Sequence, residues 1–244
     1  MDQVTIVTGG SRGIGAGISR ELGRRGHAVA VCYRSAAEEA ERVVAEITAA
    51  GGRAYAEQCD VTDSAAITDL FAGTAERLGP VTGLVNNAGA TLTSADLADT
   101  DEESIRAVLE LNLTAAILCA RRAVQVMSTA RGGPGGSIVN ISSAAATIGS
   151  AHEYVHYAAA KAGVDALTIG LAIEVAGEGI RVNAVAPGTV RTGIHVPGRI
   201  ERVGPNVPLG RVGEPEEIAP AVAYLMSPEA SSTTVSIIRV AGGR

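Results

Sequence analysis

The feature that most constrains this chain is a repeated alternation. Short apolar runs read as buried strands: QVTIVT (3–8), HAVAVCY (27–33), RAYAEQC (53–59), TGLVNN (82–87), GSIVNIS (136–142) and IRVNAVA (180–186). Between them lie longer stretches with helical spacing, roughly 13–25, 36–50, 64–78, 102–128, 155–177 and 215–226. TTVSIIRV (233–240) ends the pattern as a last strand. Strand–helix alternation predicts an α/β fold: a parallel sheet of seven strands, doubly wound, with helices on both faces and right-handed crossovers. No internal repeat or low-complexity linker divides the chain, so one domain over 1–244 is expected.

Two stretches break the rhythm. RGGPGG (131–136) is a turn-rich loop before the fifth strand. Residues 187–215 hold Pro187, Pro197, Pro205, Pro208 and Pro215, five of the nine prolines. This segment follows the carboxyl end of a strand, where open α/β sheets bind ligands. It reads as a substrate lid over 187–215.

Charge and cysteine usage exclude several classes. A net charge of −6 gives no basic surface for nucleic acid. No apolar run approaches the roughly 18 residues that a membrane span needs. The opening MDQVTIVTGG has no basic n-region, so no signal peptide and a cytoplasmic location are expected. Cys32, Cys59 and Cys119 form no CxxC and read as free thiols. No Cys/His/Asp group has metal-ligand spacing, so no metal is expected. No G-x-S-x-G elbow marks a hydrolase.

TGGSRGIG (8–15) ends the first strand and opens the first helix. Gly9 allows a sharp turn, and Gly13 and Gly15 leave the helix N-terminus bare for a pyrophosphate. Ser11, Arg12 and Ile14 complete this candidate cofactor loop, whose spacing is G-x-x-x-G-x-G. An NAD-preferring fold carries an acid about 20 residues further on, for the ribose 2′-hydroxyl. Here the second strand ends in Tyr33 and Arg34 with no acid. Arg12 and Arg34 suit a 2′-phosphate, so the expected cofactor is NADP(H).

YAAAK (157–161) contains the only lysine; every other basic residue among the 20 Lys+Arg is arginine. Positions i and i+4 share a helix face, so Lys161 should lie near the Tyr157 phenol. A neighbouring cation favours phenolate and lowers a tyrosine pKa. A tyrosine tuned in this way is a candidate general acid/base.

Taken in order, TGGSRGIG, NNAG (86–89), the serine pair 142–143, YxxxK (157–161) and PG (187–188) resemble the short-chain dehydrogenase/reductase family over essentially the whole chain. The likeness is to the branch of 3-oxoacyl-carrier-protein reductases and glucose-dehydrogenase-like enzymes. It implies a Rossmann-type fold, with Tyr157 as acid/base, Lys161 lowering its pKa and bonding the nicotinamide ribose, and Ser143 binding the substrate oxygen. It implies a relay water held by Asn112. Asn86, Asn87, Ala88 and Gly89 would form the cofactor wall. Asp60 and Val61 would face the adenine, and Pro187, Gly188, Val190 and Thr192 would cover the nicotinamide. A homotetramer, or else a homodimer, is implied by helices 102–128 and 155–177 packing across a dyad.

The chain departs from the family pattern in two places. Ser143 and Tyr157 are 14 residues apart, one more than in many members, which keeps Ser142 as a candidate. The C-terminus reads TTVSIIRVAGG, with Ala241 where members often have Asp. His156 should point away from the Tyr157 hydroxyl, and Tyr154 either lines the pocket or packs at the surface. The expected activity is NADP(H)-dependent interconversion of a ketone and a secondary alcohol, on a small-molecule or acyl-thioester substrate. A sugar dehydrogenase and a non-catalytic dinucleotide-binding sensor remain the alternatives.

Overall fold

The computed structural model describes residues 3–244. Met1 and Asp2, at the start of the expected 1–244 domain, lie outside them. Seven strands run in chain order as β1 (Val4–Val7), β2 (Ala28–Tyr33), β3 (Arg53–Gln58), β4 (Gly83–Asn86), β5 (Gly136–Ile141), β6 (Ile180–Pro187) and β7 (Ile237–Val240). They form one sheet of order 3-2-1-4-5-6-7. Every pairing is parallel, as strands joined by helical crossovers must be. The direction of winding reverses between β1 and β4, which opens a crevice at their carboxyl ends.

The helices are α1 (Gly13–Arg24), α2 (Ala37–Ala49), α3 (Ser64–Leu78), α4 (Glu102–Leu109), α5 (Ala115–Met127), α6 (Ala145–Ile148), α7 (Val155–Val175), α8 (Arg199–Val203) and α9 (Pro215–Met226). On one sheet face Ile18, Leu22, Val43, Ile218 and Leu225 pack on Val29, Val31 and Val85. On the other, Phe71, Leu70, Cys119, Met127 and Ala172 pack on Ile6, Leu84 and Ile138. Phe71, the one phenylalanine, is fully buried. With so few aromatics, this core is built from closely fitted aliphatic residues. Gly17 shows how close: a Cβ there would meet the Pro215 carbonyl oxygen at 3.2 Å, so α1 and α9 touch backbone to backbone.

Three details differ from the sequence expectation. The helix expected over 102–128 is interrupted by a π-turn, Glu110–Thr114. Asn112 lies in that turn, and its side chain donates to the Val108 carbonyl at 2.9 Å. The last strand begins only at Ile237, because Val235 has φ +67°, which an extended strand cannot hold. The 187–215 segment is also partly ordered into secondary structure. It contains α8 and a 3₁₀ turn (Gly204–Asn206), and a bridge pairs Val190 with Gly213.

Candidate active site

The carboxyl ends of the strands open into a cleft of about 1040 Å³. At one end lies the glycine loop. Gly9 (φ +63°) and Gly13 (φ +50°) take left-handed backbone, which glycine adopts without strain. A Cβ on Gly15 would fall 2.1 Å from the Gly9 carbonyl oxygen, so no larger residue fits. Arg12 precedes α1 without any side-chain cap, and the first turn of α1 carries no acid. The helix therefore presents its free N–H groups and positive dipole end to the cleft. A phosphate fits this cradle, and the residues present suit a dinucleotide.

The candidate cofactor residues of the loop, of Tyr33–Arg34, of Asp60–Val61, of 87–89 and of Pro187 to Thr192 all line this cleft. Asp60 is tied down locally, accepting from the Thr62 amide at 3.0 Å and hydroxyl at 2.8 Å. Those bonds hold its carboxyl below the usual range. Asn87 Nδ2 donates to the carbonyls of Thr8 and Gly9, which locks the wall to the glycine loop. Gly188 packs against Ala241: a Cβ would meet the Ala241 Cα at 2.8 Å. The atypical C-terminus thus supports the segment that opens the lid.

Two resemblance-implied positions do not reach the cleft. The Asn86 carboxamide turns inward and donates to Asn140 Oδ1 at 2.9 Å and the Ala116 carbonyl at 3.1 Å, joining β4 to β5 and α5. Asn112 is buried behind the wall. Its Nδ2 donates to the Ala90 carbonyl at 2.8 Å, and its Oδ1 accepts from the Ala90 amide at 3.2 Å. It therefore clamps the 88–91 loop, one layer behind Gly89. A Cβ on Gly89 would meet Asn112 Oδ1 at 2.6 Å and Lys161 Nζ at 3.4 Å, so these groups converge where only glycine fits.

The chemistry-bearing side chains meet in the middle of the cleft. Tyr157 and Lys161 stand on one face of α7, with Nζ 5.6 Å from the phenol ring centroid. Lys161 Nζ donates to the Ile141 carbonyl at 2.9 Å. Burial pushes the Tyr157 phenol up, and the nearby Ser143 hydroxyl pulls the other way. Burial also lowers the Lys161 ammonium to about 8. The net direction for Tyr157 is therefore upward, opposite to the expected one: desolvation comes first and outweighs the Ser143 hydroxyl and the Arg199 cation.

The serine ambiguity has a geometric answer. Ser143 faces the Tyr157 phenol and lines the cleft. Ser142 also borders the cleft but is buried, and its hydroxyl donates to the Lys161 carbonyl at 3.4 Å and faces Asp165 instead of the phenol. Between Ser143 and Tyr157 runs the loop after α6, where Gly149, Ser150 and His152 all have positive φ. Leu92, across the cleft, also does. Non-glycine residues in this conformation are strained, and such strain gathers at functional rims.

His156 is buried beside Tyr157 with neither ring nitrogen hydrogen-bonded, and it takes no part in the cleft. Tyr154 does line it, buried and edge-on to Tyr157, with ring centroids 5.4 Å apart. Sequence reasoning missed Glu153, His195 and Arg199, which also line the cleft. Glu153 and Arg199 are 46 positions apart, and no local spacing links them.

Known proteins resemble this chain over nearly its whole length. A family model described as enoyl-(acyl carrier protein) reductase matches residues 9–244. An uncharacterized oxidoreductase of Escherichia coli, YgfF, is 44% identical, with 99% of each chain covered. A 3-oxoacyl-[acyl-carrier-protein] reductase of Synechocystis is 38% identical over 99% of this chain and 96% of its own. Among solved structures, a point variant of the actinorhodin polyketide ketoreductase with NADPH superposes with a TM-score of 0.89 at 35% identity. The match covers 99% of this chain and 97% of that one.

Proposed function

The chain belongs to the short-chain dehydrogenase/reductase family, and from that premise we propose that it is an NADP(H)-dependent enzyme interconverting a ketone and a secondary alcohol, with Tyr157 as general acid/base. The substrate class best supported is a 3-oxoacyl thioester or a related carbonyl compound, as the names of its relatives suggest. One observation carries the reading: Ser143, Tyr157 and Lys161 converge in the same cleft as the bare N-terminus of α1. Arg12 and Arg34 on that cleft support the 2′-phosphate form of the cofactor.

Bound there, the nicotinamide would give up a hydride in reduction and take one in oxidation. The protein orients the substrate and handles the proton. The Ser143 and Tyr157 hydroxyls are the donors for a carbonyl oxygen gaining negative charge. Because burial raises the Tyr157 pKa, Oη keeps its proton at neutral pH and can deliver it to that oxygen. In the oxidative direction Oη must first give up its proton to act as base toward the alcohol, and the Lys161 ammonium beside it favours that phenolate. Ile141 engages one of the lysine's three donors, which leaves the others for the cofactor ribose. Exposed Ile117 on α5 and Ile169 and Ile173 on α7 support burial of these helices in a homotetramer.

The test is consumption of NADPH with a panel of 3-oxoacyl thioesters, diketones and sugars. Tyr157→Phe should bind NADPH as wild type does and lose turnover by about 10²- to 10⁴-fold. Near-normal turnover in that variant defeats the acid/base assignment. NADPH binding without turnover of any carbonyl would favour the sensor alternative, and turnover of sugars alone the sugar dehydrogenase.

A further inference from the structure

A charged cluster lines the cleft beside the lid. Glu153 lies in the turn before α7 and receives two arginines from α8. Arg199 Nη2 donates to Glu153 Oε2 at 2.7 Å, and Nε spans both carboxylate oxygens at 3.1 and 3.3 Å. Arg202 Nη2 reaches Oε1 at 2.6 Å. The Arg199–Glu153 pair is largely withdrawn from water, with side-chain exposures of 8% and 17%. Its two arginine bonds hold Glu153 ionised, with its pKa down at about 2 despite burial.

Such a pair adds little net stability over apolar packing, because desolvation offsets the Coulomb gain. What it does impose is geometry, since a guanidinium fork meets a carboxylate in few orientations. Arg199 Nη1 also lies 3.4 Å from Thr189 Oγ1 and 3.3 Å from His195 Nδ1. His195 Nε2 lies 2.9 Å from the Val190 carbonyl, which requires the proton on Nε2 and leaves Nδ1 to accept from Arg199. One guanidinium thus joins the end of β6, the lid and the turn before α7. Its Cζ sits 5.3 Å over the Tyr154 ring, and that ring meets Tyr157 edge-on at 85°.

We propose that Arg199 is a positioning residue: by clamping α8 to Glu153 and Tyr154, it couples closure of the 187–215 segment to the placement of the Tyr157 phenol beside Ser143. The proposal rests on the reading of Tyr157 as the acid/base. The clamp acts through Tyr154 and through the charge of Arg199 on the phenol, and it does not touch the reacting atoms.

The experiment compares wild type with Arg199→Met, Glu153→Gln, the double variant and Tyr157→Phe. In Arg199→Met the carboxylate keeps Arg202, so no buried charge is stranded. Each protein is followed by thermal midpoint, NADPH affinity, NADPH-dependent reduction of an acetoacetyl thioester, and thermolysin cleavage within 187–215. Arg199→Met should lower kcat about 100-fold, the scale of a misplaced catalytic group, with NADPH affinity within about twofold of wild type. Lid cleavage should accelerate at least about tenfold, as a local opening equilibrium shifts. The double variant should be no worse than Arg199→Met alone, since the two residues act as one unit. Unchanged kcat, unchanged lid cleavage, or single-variant losses that multiply in the double would each overturn the proposal. Should Tyr157→Phe turn over normally, the acid/base reading falls instead, and thermolysin still reports whether the clamp holds the lid.

Discussion

Lys161 gives the sharpest prediction, because its chemical use and its stability cost oppose each other. Burial lowers its ammonium from 10.5 to about 8. At about 1.4 kcal/mol per pH unit, holding it charged in the folded state costs roughly 3 kcal/mol. The sign follows from the direction. A lysine with a depressed folded pKa carries its full penalty below about 8, and the penalty fades as pH rises toward the unfolded value of 10.5. Lys161→Met keeps the aliphatic stem and removes the charge. It also leaves the Ile141 carbonyl without its charged 2.9 Å donor, a loss of about 1.5–3 kcal/mol. The burial cost still outweighs that loss, so the variant should be more stable than wild type at pH 7, by at most about 2 kcal/mol, or about 4–8 °C for a chain of this size. That advantage should shrink between pH 8 and 10.5 and then reverse. Urea unfolding of both proteins at pH 7 and pH 10 measures the difference, and NADPH turnover of Lys161→Met should be abolished. A variant that is less stable at pH 7, or a difference that ignores pH, would refute the reasoning.

Two further perturbations probe the cofactor end. Gly15→Ala puts a methyl 2.1 Å from the Gly9 carbonyl oxygen, so the cradle must open; calorimetric titration should show NADPH affinity falling at least about tenfold, as a misfitted phosphate contact implies. Unaltered affinity would mean the loop holds no phosphate. Arg34→Ala removes a charge-assisted contact worth about 1.5–3 kcal/mol, so the NADPH-to-NADH ratio of kcat/KM should fall roughly 10- to 100-fold. Equal losses for both cofactors would assign Arg34 to something other than the 2′-phosphate.

The parts of this protein that were legible in advance are those governed by local spacing. Apolar runs of strand length marked all seven strands, β7 with a late start: the inner strands are largely buried on both faces and read as near-continuous apolar segments, whereas the edge strands β3 and β7 are partly exposed. Spacing of four residues on a helix put Tyr157 and Lys161 on one face, whatever the rest of the chain did. Glycines ahead of α1 marked the cradle, because only glycine tolerates a backbone approach this close.

Tertiary packing decided the rest. Ser142 and Ser143 are chemically identical, and only the path of the chain after β5 turns one toward the phenol and the other into α7. The direction of the Tyr157 pKa depended on how much water the assembled cleft excludes, a quantity that no four-residue motif contains. The clamp between Glu153 and Arg199 likewise joins segments far apart in sequence, brought together when the lid folds back toward the turn before α7.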